Sequence, residues 1–346
     1  MASGKKAKRN RTVANMGHSE WSEDEIDDEI EQPLSWKLDP EESLSDWTLI
    51  VRRYTESKTY HVHKACLAVG PGKSEYFASL FRLQMKENTS NTSDIALEDS
   101  AADAVPLMLD FLYTQKLGII TAEEAVPLRY LAEYFGIKRL RQQVRSFIKQ
   151  DISMANVHHY YQSAKEFHDE KLLSLVKQKC IEGIYSMDPT SPFLSSVDPQ
   201  FLYDIISSPN VVSYFRQSGR ASKLVAAHCR MNTNEITKEL FDKMTDEKCI
   251  PVIDDSCTLS LLTLAVERLP PTTAMSPSTG TTGKSNRTPR ALLQDRCIKL
   301  LAEQWRSVDG NEILPILCTF PPTVVAEIYK QTLLLAQIDI KECGCY

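Results

Sequence analysis

The sequence has no apolar run long enough to cross a membrane. Its richest apolar stretch, Leu259–Val266, is short and is broken by Ser260 and Thr263, whereas a membrane-spanning helix needs about 20 apolar residues. The N-terminal region also lacks the apolar core that a secretory signal peptide carries. We therefore expect a chain that has no membrane partner and works in the cytoplasm, the nucleus or both.

Positive net charge and paired metal-ligating cysteines are also missing. The 346 residues include 40 Lys and Arg against 46 Asp and Glu, a formal net charge of −6, whereas dedicated nucleic-acid-binding domains are usually basic. None of the nine cysteines lies in a CxxC pair, so none has the spacing of a structural zinc site. In a reducing compartment we expect buried, reduced thiols. The sequence predicts no metal, no cofactor and no direct nucleic-acid binding.

One segment resembles a phosphate-binding loop but departs from its motif. Residues 279–285 read TGTTGKS, whereas G-x-x-x-x-G-K-[ST] requires glycine where Ser278 stands. The segment also belongs to a Pro/Ser/Thr/Gly-rich stretch, residues 270–290, whose composition is typical of a flexible loop. Because no catalytic constellation is found elsewhere either, the sequence does not predict an enzyme.

Charge dominates residues 1–43. A basic run at residues 5–11 is followed by an acidic run at residues 20–31 that contains eight Asp and Glu. Apolar residues are too sparse to offset the entropy of ordering, so we expect a disordered tail. The basic run has two interpretations: a nuclear-targeting signal or nucleic-acid patch, or part of a solvated tail whose two charge blocks attract each other. Its basic residues are Lys5, Lys6, Lys8, Arg9 and Arg11.

An α+β unit is predicted over residues 44–150. Short β-branched and aromatic runs at 47–51 and 59–62 indicate a hairpin, and residues 95–97 indicate a third strand after a polar loop at 88–93. The spacing of apolar residues predicts helices near 63–68, 75–81, 105–112, 121–135 and 137–149. Ser74 and the capping box Thr121-x-x-Glu124 mark two helix starts, and Gly136 is placed to end a helix. Ten inward-facing residues should form the core: Leu49, Val51, Leu67, Phe77, Phe81, Leu97, Leu109, Leu112, Leu131 and Phe135.

The order of motifs in this unit resembles the BTB (POZ) domain. The matching residues are Asp46, Tyr60-x-x-His63-Lys64-x-x-Leu67, Tyr76-Phe77-x-x-Leu80-Phe81, Ile95-x-Leu97, Phe111-Leu112-Tyr113-Thr114 and Leu131-Ala132-Glu133-Tyr134-Phe135-Gly136-Ile137. The resemblance implies a non-enzymatic domain for protein association, which in many members docks to the third cullin as an adaptor of ubiquitin ligases. It also implies a structural role for His63.

The resemblance further implies where a cullin would dock. In cullin-binding members a hydrophobic-x-Glu triplet follows the helix that here holds Phe77, and Met85-Lys86-Glu87 stands at that place. Met85 would enter an apolar pocket and Glu87 would accept a charge-assisted hydrogen bond, with Tyr113 as a third docking residue. The alternative is an exposed loop start, because such triplets are frequent by chance.

Self-association is expected to be weak. Dimeric BTB members carry an amphipathic helix before the first strand, and it exchanges between partners. Here the corresponding span is acidic and is interrupted by Pro33 and Pro40. The sequence therefore predicts a monomer or a weak dimer.

The rest of the chain is predicted to be all-α, over residues 151–269 and 291–346. Asp169 and Asp198-Pro199 are placed to begin helices, and a helix near 234–244 would be capped by Thr233 or Asn234. The helical pair from Asn156 to Ile184 resembles the start of a BACK domain, which in adaptors extends the cullin-facing surface.

Two functions follow from these observations. In the first, the BTB-like unit and the helical region dock a cullin while the C-terminal helices or the tail hold a protein substrate. In the second, the protein is a scaffold or a transcription-linked interaction protein that binds no cullin, and the basic run at residues 5–11 serves nuclear entry. No Kelch, ankyrin or zinc-finger module is found in the sequence to identify the substrate or partner.

Overall fold

The computed structural model describes residues 33–54, 56–83, 86–216, 218–268, 289–305, 315 and 317–342. The basic run, the acidic run, the TGTTGKS segment and Met85 lie outside these residues. Across the described part of the chain, no helix is long and apolar enough to span a membrane. The same residues contain no group of three His, Cys, Asp or Glu side chains that could hold a metal ion.

The α+β unit is built on a small sheet with the strand order β2-β1-β3. β1 (Trp47–Arg52) and β2 (Ser57–Val62) form the predicted antiparallel hairpin, and β3 (Thr92–Ala96) pairs in parallel with the other edge of β1. The third strand thus starts earlier than its prediction at 95–97. The N-terminal half of β3 is polar and was therefore predicted as a loop. It belongs to the strand, where Ser93 is buried and accepts a hydrogen bond from Trp47 Nε1 at 3.2 Å.

Helices surround this sheet. They are α1 (Lys64–Ala68), α2 (Glu75–Arg82), α3 (Lys86–Ser90), α4 (Asp99–Asp103), α5 (Val105–Thr114), α6 (Ala122–Tyr134) and α7 (Lys138–Asp151). The predicted caps are confirmed: Ser74 Oγ accepts from the Phe77 N–H at 3.1 Å, and Thr121 and Glu124 exchange both bonds of the capping box. Gly136 follows the end of α6 with φ +65°, a conformation that glycine adopts without strain.

Nine of the ten expected core residues are buried, and Phe81 is the exception. Phe81 is half-buried at the edge of the core. One side of its ring packs against Trp47, with centroids 4.7 Å apart, and the Lys64 ammonium group lies 5.9 Å from the ring centre. A charged lysine side chain stays near solvent, so the part of the Phe81 ring beside Lys64 is not enclosed by the core. The prediction of full burial was therefore wrong for Phe81.

Residues 33–43, which the sequence assigned to a disordered tail, form turns that pack on the α+β unit. Trp36 Nε1 donates to Asp110 Oδ1 at 2.8 Å, and Lys37 Nζ lies 2.9 Å from Asp110 Oδ2. The Trp36 ring meets Tyr60 edge-on at 5.5 Å. The predicted boundary at residue 44 was therefore too late, because two side chains hold the preceding turns on α5.

The remaining described elements are helical. They are α8 (Val157–Glu166), α9 (Glu170–Gly183), a 3₁₀ turn (Ile184–Ser186), α10 (Pro192–Ser196), α11 (Pro199–Ile206), α12 (Pro209–Phe215), α13 (Arg220–Met231), α14 (Lys238–Met244), α15 (Asp255–Arg268), α16 (Pro289–Gln304) and α17 (Pro322–Glu342). Asp169 and Asp198 cap α9 and α11 as predicted. Thr237, not Thr233 or Asn234, caps α14, because the Thr233 hydroxyl is taken up by the carbonyls of Cys229 and Arg230 at the end of α13.

The helical region joins the α+β unit through α6 and α8. The Tyr130 ring of α6 packs on Phe167 at the end of α8, with centroids 4.8 Å apart. Arg129 forms an ion pair with Asp169, and His159 Nδ1 lies 3.2 Å from Glu123 Oε1. The first helical pair is therefore held directly against the α+β unit.

Candidate docking surface

The region expected to dock a partner lies where α2 ends and α3 begins. Met85 is outside the described residues, but its neighbour Glu87 lies in the first turn of α3 and is half-buried. Asn88 fixes α3 to α2, since its Nδ2 donates to the Leu80 carbonyl at 2.9 Å and also to the Leu83 carbonyl. The predicted loop at 88–93 was wrong because this side chain binds the free carbonyls at the end of α2. Glu87 thus stands at a defined place on the surface.

Apolar side chains are exposed near Glu87. Leu83, at the C-terminal end of α2, is 50% exposed, Tyr134 is 45% exposed and Tyr76 is 36% exposed. The Tyr76 and Tyr134 rings lie 6.1 Å apart. Burial raises the pKa of Tyr76, and the charges of Tyr134 and Glu87 raise it further, so Glu87 lies within electrostatic range of Tyr76. Aromatic groups are enriched at protein interfaces, whereas acidic residues are depleted there; Glu87 would therefore need a specific donor in a partner.

An aromatic row continues from this point to the helical region. We define it as Tyr76, Tyr134, Tyr130 and Phe167. Successive ring centroids along it are 6.1, 6.2 and 4.8 Å apart. It connects the start of α2 with the end of α8. Sequence analysis missed this row, although Tyr130 and Tyr134 stand four residues apart on α6 and so share one face of that helix.

Tyr113 is bound internally through its hydroxyl. His63 Nε2 lies 2.6 Å from the Ser43 carbonyl, which only accepts, so Nε2 carries the proton in the neutral ring. His63 Nδ1 then accepts from the Tyr113 hydroxyl at 2.7 Å, and that hydroxyl accepts from the His63 N–H at 2.9 Å. Burial raises the pKa of Tyr113 well above its usual value. These bonds support the structural role implied for His63, and they occupy the Tyr113 hydroxyl within the domain.

Of the seven cysteines that the structure describes, five are buried, Cys66 is half-buried and Cys318 is exposed. Burial raises the pKa of Cys180 to about 12 and that of Cys297 to about 12. Such thiols stay protonated at neutral pH and are chemically inert. Their environment is that of small apolar core residues.

Comparison with known proteins identifies the same region. Residues 37–152 match the sequence profile of the family described as "BTB/POZ domain". The chain is 27% identical over 142 residues to BTB/POZ domain-containing protein 9 of Bos taurus and 26% identical over 142 residues to that of Homo sapiens. Each match covers 40% of this chain and 21% of the relative, so the chain spans about a fifth of the length of these relatives. The family profile begins at residue 37, so it includes Asp110 but not its hydrogen-bond partner Trp36.

Proposed function

Because residues 37–152 form a BTB/POZ domain, which belongs to a non-enzymatic family of interaction domains, we propose that this chain is an adaptor that docks the third cullin of a ubiquitin ligase. The domain is a protein-interaction module whatever its partner. The cullin is proposed for the surface around Glu87. The protein substrate would then be held by the helices beyond α9.

The aromatic row is the observation that supports this proposal best. It runs from Tyr76, at the start of the helix that precedes the hydrophobic-x-Glu triplet, to Phe167 at the end of α8, in the helical pair α8–α9 that resembles the start of a BACK domain. A partner helix lying along the row would cover Leu83, Tyr76 and Tyr134 together, all of which are partly exposed. Burial of aromatic anchors at the centre of an interface supplies much of its binding free energy.

Charge chemistry supports a specific contact at one end of the row. Glu87 is half-buried and lies within electrostatic range of Tyr76, so its charge is less screened than that of a fully exposed group. A basic or amide side chain of the partner would give it a charge-assisted hydrogen bond. Met85 precedes it by two residues and would supply an adaptable apolar anchor.

A pull-down with the N-terminal part of the third cullin tests the proposal. The full chain should bind, and Met85→Ala with Glu87→Ala should weaken binding about thirtyfold, because anchors at interface centres contribute about 2 kcal/mol or more. The matched control is Met231→Ala with Glu235→Ala, which removes the same residue types from an exposed part of the helical region. It should bind as the unmutated chain does.

The melting temperature separates docking from folding. Surface substitutions usually change stability by about 0.5 kcal/mol or less, so both double variants should melt close to the unmutated chain. Equal cullin binding by the two double variants would show that Met85 and Glu87 do not form the docking site. Failure of the unmutated chain to bind the cullin would instead favour a BTB interaction protein without a ligase.

A further inference from the structure

Helix α7 presents an exposed basic face. Its exposed basic residues are Lys138, Arg139, Arg141, Arg145 and Lys149. Lys138, Arg141, Arg145 and Lys149 recur every three or four residues on one side of the helix, and Arg139 stands about 100° round the axis from Lys138. Lys138 pairs with Glu75 at 2.7 Å and Arg141 lies 3.8 Å from Glu133. Across the described residues, no carboxylate lies within 4 Å of the other three, although the chain as a whole carries a net charge of −6. The face therefore offers uncompensated positive charge to an acidic ligand.

A groove of about 560 Å³ runs along the same helix, between α7 and the α5–α6 connection. Leu117 and Phe147 give it an apolar floor, and Arg139 lies on its wall. Gln143 also lines it, and the Gln143 Oε1 atom is buried without a hydrogen-bond donor among the described residues. A buried amide oxygen normally has a partner, so the groove can take a segment that brings an N–H donor and apolar side chains.

The chain itself contains a segment of this chemistry. Residues 20–31 read EWSEDEIDDEIE, which combines eight acidic residues with Trp21, Ile26 and Ile30. The carboxylates complement the basic face, and the three apolar side chains complement Leu117 and Phe147. No basic residue interrupts the run.

Chain connectivity brings this segment within reach of the groove. Trp36 and Lys37 are fixed on Asp110 of α5. Leu117 lies seven residues after Asp110. Four of these residues form one turn of α5 and three follow the helix, so the two residues are at most about 16 Å apart. Residues 20–32 can extend over about 45 Å. The segment can therefore lie along α7 of its own chain.

We propose that the acidic segment of residues 20–31 docks on the basic face and groove of α7 in the same chain. Its apolar side chains cover Leu117 and Phe147 in the groove. Its carboxylates lie beside Arg139 on the groove wall and reach Arg145 and Lys149 on the adjacent side of α7. The interaction depends on charge and is therefore weakened by salt. It is independent of the cullin proposal, since it uses neither Met85 nor Glu87.

Zero-length cross-linking of the full chain tests this docking. A carbodiimide joins a carboxylate to a lysine amine as an amide only when the two groups touch, and peptide mass spectrometry then locates the bond. Residues 20–31 should cross-link to Lys149 and Lys138. The yield should fall about tenfold in Arg139→Glu with Arg145→Glu, because attractive pairs become repulsive, and should also fall in 0.5 M NaCl.

The matched control reverses two exposed arginines elsewhere. Arg216→Glu with Arg230→Glu makes the same change in net charge at sites of the helical region that are exposed, and it should leave the cross-links unchanged. Cross-links mainly to Lys5, Lys6 or Lys8, or a yield that the α7 variant does not lower, would overturn the proposal. A mixture of unlabelled and ¹⁵N-labelled chains distinguishes docking within one chain from docking between two chains. Cross-links that join a labelled to an unlabelled peptide would overturn the proposal, because a second copy would then supply the segment.

Discussion

His228 is a buried histidine held in its neutral form. Its Nδ1 lies 2.8 Å from the Leu194 carbonyl, an acceptor, so Nδ1 carries the proton. Its Nε2 is buried and has no hydrogen-bond partner among the described residues. Burial lowers the pKa of His228, and the bond to the Leu194 carbonyl offsets part of that effect. A proton on Nε2 would be both buried and unsatisfied, so acid should act against the native packing of α13 on α10.

The stability of the chain should therefore fall between pH 7.5 and pH 5.5. A histidine in the unfolded chain takes up a proton near pH 6.5. Because the folded-state pKa lies lower, the unfolded state binds more protons below that pH and the free energy of unfolding decreases, by up to about 1.4 kcal/mol per pH unit for one group. Urea unfolding at both pH values should show a smaller loss for His228→Leu than for the unmutated chain.

The Leu194 carbonyl stays satisfied in this variant, because Asn232 Nδ2 also donates to it at 2.9 Å. The comparison between pH values thus isolates the titration from the cost of the substitution. Equal losses of stability in the two proteins would show that His228 does not titrate on unfolding.

Residue roles were predictable from sequence to different degrees. His63 was assigned a structural role from the motif it belongs to, and its bonds to Tyr113 and Ser43 support that role. The half-burial of Phe81 was not predictable, because period alone places a residue on the inner face without showing how far the neighbouring elements extend over it. The aromatic row was missed for a related reason, since Tyr76 and Phe167 meet α6 only through tertiary packing.

The starts of several described helices are marked by capping side chains that act over three residues or fewer. The capping box of α6 is an example: the Thr121 N–H donates to Glu124 Oε2 at 2.8 Å, and Thr121 Oγ1 accepts from the Glu124 N–H at 3.3 Å. Such local bonds are visible in a sequence, and the starts of α2, α6, α9 and α11 were predicted from them. α6 carries the aromatic row and contacts α8, so its start matters for the whole surface.

Thr121→Ala should lower the free energy of unfolding by about 1 kcal/mol, because the Glu124 N–H at the start of α6 loses its hydroxyl acceptor. Thr121→Ser keeps the hydroxyl and is the matched control, with a loss near zero. Chemical denaturation of the full chain followed by far-ultraviolet circular dichroism measures both. Equal stability of the alanine and serine variants would contradict the role of the capping box.

Elements that depend on distant partners were harder to predict. β3 begins with Thr92-Ser93-Asp94, which is polar, and it becomes a strand by pairing in parallel with β1, more than forty residues away in the chain. α3 is short, and the Asn88 side chain holds it against the end of α2 by a hydrogen bond to the Leu80 carbonyl. Neither partner is evident from a local pattern, whereas the β1–β2 hairpin is local and was found.

At the scale of the molecule, turns fold back where a dimeric BTB domain would place its exchanging helix. Within the described residues before β1, Trp36 and Lys37 bind Asp110 of the same chain, and Trp36 packs on Tyr60. Trp36 is thus engaged within one chain, whereas Leu34 and Leu44 remain 48% and 80% exposed. The sequence predicted weak self-association from the composition of this span, and the observed contacts supply a physical reason for it.

The full chain should accordingly be mostly monomeric at micromolar concentration. A specific interface buries about 1,200 Å² or more, and within residues 33–45 the exposed large apolar side chains are Leu34 and Leu44, too few for one. Light scattering coupled to size-exclusion chromatography should report a mass near 39.2 kDa. A dimer that persists on tenfold dilution would contradict this expectation and would place the pairing on another surface.

The attachment of the helical region to the BTB/POZ domain is a property of the whole molecule. α8 and α6 are brought together by Tyr130–Phe167 packing and by the Arg129–Asp169 ion pair. The sequence predicted both units and the helices within them. It did not predict which helices would meet, because each of these contacts joins residues about forty positions apart.

Hydrogen–deuterium exchange of the full chain, with and without the N-terminal part of the third cullin, tests the central claim most directly. Docking along the aromatic row should slow exchange in residues 76–90 and 130–137 and in the α8–α9 pair, while α15 and α16 remain unchanged. At a cullin concentration that only just saturates the unmutated chain, Met85→Ala with Glu87→Ala should lower that protection strongly, and Met231→Ala with Glu235→Ala should preserve it. Protection confined to other elements, or none at saturating cullin, would contradict the assignment of this surface.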